Sequence, residues 1–152
     1  MNTIQPPLVL DCARVLAYAF VDDSVVYSER GTFFVGGKVL GPVPRLAICQ
    51  NIGETELMVF HCDNEWNVLG VAGGHIGVEE AKESVERSYH GLKDKWVDTG
   101  VTEEQAAAHL EREFGDVKCS FCGRWPLHVE RMIGTDVRIC NLCVEKFYRL
   151  LH

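Results

Sequence analysis

The chain has no apolar run of the ~18 residues that a bilayer-spanning helix requires, so no membrane span is expected. Met1 to Pro7 shows no basic stretch followed by an apolar one, so no secretory leader is expected and the location expected is cytoplasmic. There is no internal repeat and no low-complexity tract, which argues against a solenoid or a disordered linker protein. Positive charge is scarce over most of the length. Residues 1–117 carry 9 Lys and Arg against 19 Asp and Glu, a balance of −10. Residues 118–152 carry 6 against 3, a balance of +3. An acidic surface repels phosphate backbones, so nucleic acid is not expected among the partners.

Apolar residues make up 47% of the 152, enough to build a core in the larger part of the chain. Residues 8–71 read as strands. Arg14–Phe20 is a continuous apolar run of strand length, Val25–Tyr27 and Thr32–Leu40 flank a turn at Glu29-Arg30-Gly31, and Leu46–Cys49 and Leu57–His61 flank a polar loop. Trp66–Val71 follows Asp63-Asn64-Glu65. Short apolar runs with Gly, Asn and Asp between them predict an antiparallel meander.

The period then changes. Val78, Ala81, Val85, Tyr89, Leu92 and Trp96 are spaced by three and four, with Glu79, Glu80, Lys82, Glu83, Glu86 and Arg87 between them. That pattern predicts an amphipathic helix over 78–97 lying on the sheet. Thr102 and Gln105 match a capping box, Ala106, Leu110 and Phe114 continue an apolar stripe, and Gly115 ends it. The expectation is an α+β fold: a meander with one or two covering helices over residues 1–115, a short linker at 115–118, and a separate module at 118–152.

Cysteine is plentiful, at seven residues. Cys12, Cys49 and Cys62 lie in apolar surroundings and read as core, since an unpaired thiol commonly serves as a small hydrophobe. Cys119, Cys122, Cys140 and Cys143 form two Cys-x2-Cys pairs separated by 17 residues. In a reducing compartment that pattern points to one structural Zn²⁺ held by four thiolates. Size favours the same reading. Residues 118–152 number 35, below the ~40 at which small domains usually need a metal or disulfide. Four thiolates also leave no open position on the ion for catalysis.

The residues around the cysteines go further. Cys119-Ser-Phe-Cys122-Gly123-Arg124, Val129, Arg131-Met132-Ile133 and Val137-Arg-Ile139-Cys140-Asn-Leu-Cys143-Val144 resemble the N-terminal zinc-binding domain of the ClpX chaperone. The resemblance covers about 30 residues and nothing before Lys118. It implies a treble clef, with the first pair on a knuckle and the second at the start of a helix near Asn141. It also implies a module that dimerises and binds substrates and adaptors, for which Phe121, Trp125, Leu127, Phe147 and Tyr148 are the candidate partner-binding residues, with Ile133 and Val144 as further apolar candidates. Trp125, beside Pro126, is expected to be exposed. The loop between the pairs is one residue short of the family pattern near Gly134-Thr135. The ATPase part of that family is absent: Gly36-Gly37-Lys38-Val39 lacks the first Gly of a phosphate loop, at Thr32, and its hydroxyl at position 39.

Other constellations are weaker. His61-Cys62-Asp63 holds a nucleophile, a base and a carboxylate, but neighbours on a strand point to opposite faces. Gly73-Gly74-His75 reads as a turn into the helix, with an exposed imidazole as its functional alternative. His128 stands between the cysteine pairs, whose thiolates already complete a site. Asp22-Asp23 and Glu79-Glu80 read as solvated charges. The leading expectation is a non-enzymatic, zinc-stabilised, adaptor-like protein whose acidic body recognises one partner while the module dimerises or recognises another. The alternatives are a bacterial immunity protein that covers a basic toxin site with its acidic body, and an enzyme with a pocket in that body.

Overall fold

The central strand runs are realised where the sequence puts them, but the run expected over Trp66–Val71 is corrected to a strand at Val68–His75, so Gly73-Gly74-His75 end a strand instead of forming the turn into the helix. In the computed structural model of the chain, residues 4–28, 34–35 and 37–152 are described. The side chains of Phe34, Val35, Val39, Asp116 and Leu127 lie outside that description, as do the expected turn at 29–31, Thr32 and Gly36. The chain divides into two compact units, residues 1–106 and 107–152. Among the described residues no helix is long and apolar enough to cross a membrane.

The elements in chain order are β1 (Val9–Leu10), β2 (Ala13–Phe20), β3 (Val26–Tyr27), β4 (Phe34–Val35), β5 (Lys38–Val39), β6 (Arg45–Asn51), β7 (Leu57–Cys62), β8 (Val68–His75), α1 (Val78–Glu86), β9 (Tyr89–His90), β10 (Val97–Asp98) and α2 (Glu103–Phe114). The tail adds β11 (Met132–Ile133), β12 (Ile139–Cys140) and α3 (Asn141–Leu151). The main sheet is antiparallel, in the order β1-β2-β6-β7-β8, with β10 also paired to β2. Strands β6, β7 and β8 are a true meander, while β3 to β5 leave the sheet and form two small ribbons, β3 with β9 and β4 with β5.

Strands β2, β6 and β7 are buried on both faces, which explains why they read as continuous apolar runs. One face carries Ala17, Ala19, Leu46, Ile48, Leu57 and Val59, and α1 lays Ala81 and Val85 over it. The other face packs Val15, Tyr18, Ala47, Cys49, Phe60, Cys62 and Trp66. On that second side Arg45 is buried, its guanidinium 4.9 Å from the Phe20 ring centroid and 5.3 Å from that of Trp66. Arg45 and the Trp66 indole both donate to the Ile4 carbonyl, at 2.9 and 2.7 Å, and so pin the first described residues across the face. Cys12, Cys49 and Cys62 are buried, and burial pushes the Cys62 thiol up to about 12 and that of Cys49 well above its usual range. They are inert core residues, as read from the sequence.

The helix expected over 78–97 is corrected: α1 stops at Glu86. Beyond it Tyr89–His90 become a strand, Lys93–Lys95 a single 3₁₀ turn and Val97–Asp98 a further strand. Gly91 sets the break with φ +96, and a Cβ there would press on the Ser24 carbonyl at 3.3 Å. The Glu86 carboxylate accepts from the N–H groups of Gly91 and Lys93, replacing the helical bonds that the bend gives up. Tyr89 and Leu92 stay in the core, so their helical spacing survives without the helix.

The second helix begins as read. Thr102 N–H donates to Gln105 Oε1 at 2.9 Å, and Gln105 N–H donates to Thr102 Oγ1 at 3.1 Å, the reciprocal pair of a capping box. Ala106 and Leu110 are buried, Phe114 is exposed, and Gly115–Val117 follow as a 3₁₀ turn. Replacing Thr102 with Ala should cost about 1 kcal/mol through the lost cap, whereas Ile48→Ala at the fully buried centre of β6 should cost about 2–5 kcal/mol. Chemical denaturation of the two variants, followed by circular dichroism, checks the order.

Candidate metal centre

The tail has too little apolar material for an ordinary core. Its buried cluster is Cys119, Cys140 and Cys143, against which Val129, Met132, Ile139 and Phe147 are only partly buried. Three short pieces position the thiols. The first is a knuckle: Gly123 N–H donates to the Cys119 carbonyl and Cys119 N–H to the Arg124 carbonyl, both at 2.9 Å. Gly123 has φ +77, in open space, so the left-handed backbone rather than crowding calls for glycine there. The second is the β11–β12 hairpin, paired Met132 to Cys140 and Ile133 to Ile139. The third is α3, which starts at Asn141 and carries Cys143 in its first turn.

Polar bonds tie these pieces together. Ser120 N–H donates to the Arg138 carbonyl at 2.8 Å, and Arg138 N–H returns a bond to Ser120 Oγ at 2.9 Å. Asn141 N–H donates to the Arg131 carbonyl and Arg131 N–H to Asn141 Oδ1, both at 3.0 Å. The knuckle is thus clamped to one hairpin strand and the helix start to the other. At the hairpin tip Gly134 has φ +110, and a Cβ there would collide with the Val137 carbonyl oxygen. The shortened loop noted in the sequence closes through this glycine.

All four sulfurs lie within 4.8 Å of one another. Cys119 and Cys143 are 3.8 Å apart and Cys122 and Cys140 are 3.7 Å apart, well beyond a disulfide. A tetrahedron of thiolates about 2.3 Å from a zinc ion has edges of about 3.8 Å, so the donor set fits the ion in type, number and spacing. Cys122 is the exposed member, and the other three are buried.

The thiol acidities show why a cation is needed. Burial pushes the Cys119 thiol up, but the N–H groups of Cys122, Phe121 and Cys140 outweigh it and bring the thiol down to about 6. Cys143 moves the other way, up to about 12, through burial and the neighbouring sulfurs of Cys122, Cys140 and Cys119. One thiolate forms readily and then opposes the next, and a divalent cation removes that opposition. Bound by four thiolates, zinc is closed to substrate and acts as a structural centre.

The other candidate residues fall as follows. Phe121 and Tyr148 are exposed, at 56% and 63%, and the Phe121 ring packs edge-on against Phe147 with centroids 5.4 Å apart. Phe147 itself is half-buried against the cysteine cluster, and Val144 is exposed. Trp125 is half-buried rather than exposed, and the Lys118 ammonium sits 5.6 Å from its ring centroid. The side chain of Leu127 lies outside the described residues. His128 is exposed and takes no part in the thiol cluster.

In the body, His61 and Cys62 serve opposite faces of β7, as strand alternation requires. His75 is corrected: its imidazole is buried, at 8% exposure, and Nδ1 lies 2.8 Å from Glu80 Oε2. Glu80 therefore holds a partner rather than standing as a solvated charge. Nothing in the local sequence marked this pair beyond a five-residue separation across the strand-to-helix turn.

Replacing Cys122 with Ser should release zinc and unfold residues 118–152 while the body stays folded. Structural zinc contributes about 10–16 kcal/mol of apparent binding energy to modules of this kind, more than so small a core supplies. Elemental analysis of the purified variant, paired with its amide spectrum, checks both halves. Stoichiometric zinc in the variant would contradict the ligand assignment.

The comparisons with known proteins bear on this part of the chain. The family model described as ClpX C4-type zinc finger matches residues 117–152. No curated protein and no solved structure gives a significant match. The tail is therefore a four-cysteine zinc module of the ClpX type, as its residues led one to expect, joined to an antiparallel α+β body.

Proposed function

We propose that this is a non-enzymatic, adaptor-like protein whose zinc module is its interaction surface, toward a second copy of the chain or another protein. The apolar residues that the module leaves in solvent carry the reading. Ile133 is 58% exposed, and Val137, Val144, Phe121 and Tyr148 are exposed with it. A groove of about 410 Å³ runs between the hairpin and α3, lined by Ile133, Ile139, Val144 and Tyr148, with Arg131 and Glu145 beside them. Contiguous apolar surface with a polar rim is what protein-binding sites present.

A stable interface requires roughly 1,000 Å² of buried surface, and the hairpin together with one side of α3 offers an apolar area to contribute to it. Phe147 contributes by supporting Phe121 rather than by direct exposure. The acid surplus of residues 1–117 favours a basic surface for any partner of the body, which supports toxin neutralisation as a second reading. It also argues against nucleic acid and against anionic membranes as partners.

Sedimentation velocity of the zinc-loaded chain tests the leading reading. The full chain should sediment as a dimer of its 17.1 kDa unit. The double variant Val144→Asp, Tyr148→Asp should sediment as a monomer with its zinc content unchanged. A dimer that survives both charges would place the interface elsewhere. A native chain that is monomeric and captures no protein partner through the module would overturn the proposal.

A further inference from the structure

The body contains a cavity of about 180 Å³ between α1, the β7–β8 pair and the β3–β9 ribbon. Three rings form one wall: Tyr27 and Tyr89 with centroids 5.1 Å apart, and His61 6.4 Å from Tyr89. His75, Ser84 and Ser88 supply the polar part of the lining. Among the described residues, none that lines the cavity is Lys, Arg, Asp or Glu. Burial holds the His61 imidazole down at about 4, so that ring is uncharged at neutral pH.

The polar groups have assignable roles. Glu80 accepts hydrogen bonds only, so the Nδ1–H of His75 donates to it at 2.8 Å. In the neutral ring Nε2 is then an acceptor with a fixed orientation. The Ser84 and Ser88 hydroxyls can donate to an acceptor or accept from a donor. An aromatic wall favours a flat ring through offset or edge contacts. A charged guest would find no ion of opposite sign among the lining residues and would lose its hydration. Cavities of about 150 Å³ accommodate benzene, so this one has room for one ring with a few substituent atoms.

We propose that the cavity is a binding site for a small, uncharged, single-ring heteroaromatic molecule that carries both an N–H donor and a carbonyl acceptor. The N–H meets His75, the carbonyl meets a serine hydroxyl, and the ring lies against Tyr27 and Tyr89. The proposal is independent of the zinc module, whose surface serves proteins.

Three neutral lactam rings, uracil, cytosine and 2-pyridone, probe the site in the full zinc-loaded chain. At millimolar concentration at least one should give saturable amide shifts at Ala72, Ser84 and Ser88, and nuclear Overhauser contacts from its ring protons to Tyr27 and Tyr89. Orotate, the carboxylated form of uracil, should bind at least tenfold more weakly than uracil. Ala72→Leu, which fills the cavity from β8, should abolish the shifts; if that variant is unfolded, the ring-to-tyrosine contacts in the native chain locate the ligand by themselves. Absence of saturable shifts with all three rings would overturn the proposal. So would orotate binding as tightly as uracil, or ring contacts that fall outside the cavity.

Discussion

Four sulfurs held within 4.8 Å of one another are a liability until a cation sits among them, and the tail of this chain is arranged around that fact. The buried residues at its centre are cysteines, and the apolar side chains around them are only partly covered. Amides of the knuckle draw Cys119 toward the thiolate while crowding and burial hold Cys143 back. Zinc resolves the conflict and replaces a hydrophobic interior that 35 residues cannot build. The clamps from Ser120 to Arg138 and from Asn141 to Arg131 then fix the knuckle and the helix start to the hairpin. Because the metal does the work of a core, the module is free to leave Ile133, Val144 and Tyr148 in solvent.

The body follows the opposite logic. Its central strands are buried on both faces, one under α1 and one under Trp66, Arg45 and the segment at Ile4. No metal is needed for that core, and its own cysteines are spent as hydrophobes. The acid surplus lies on this part of the chain, while the basic balance lies on the tail. The cavities differ in the same way, with an apolar groove on the module and a small ring-lined cavity within the body.

The features legible in the sequence were those with a short-range cause. The Cys-x2-Cys pairs, the Thr102–Gln105 box and the central strands are set by residues a few positions apart, and each stands where it was read. The start of α3 at Asn141 was available only through the resemblance, since the preceding strand gives no capping signal. The end of α1 was misread because Tyr89 and Leu92 satisfy helical spacing while serving a strand and a turn, and only Gly91 marked the change. The tight link from β1 to β2 was hidden as well, since Asp11 and Cys12 both take positive φ, at 47° and 65°, with no glycine to announce it. Burial of Arg45 and His75 depends on partners that are distant or on the far side of a turn, and composition cannot show such pairing. The contact of the Lys118 ammonium with the Trp125 ring spans seven positions, which no periodicity predicts.

The most direct measurement is X-ray absorption at the zinc edge on the full chain purified under reducing conditions. One zinc per chain, surrounded by four sulfurs at about 2.3 Å, is the result that the thiol geometry requires. A tail that is well ordered with no metal, or an ion whose shell contains nitrogen or oxygen in place of sulfur, would contradict it.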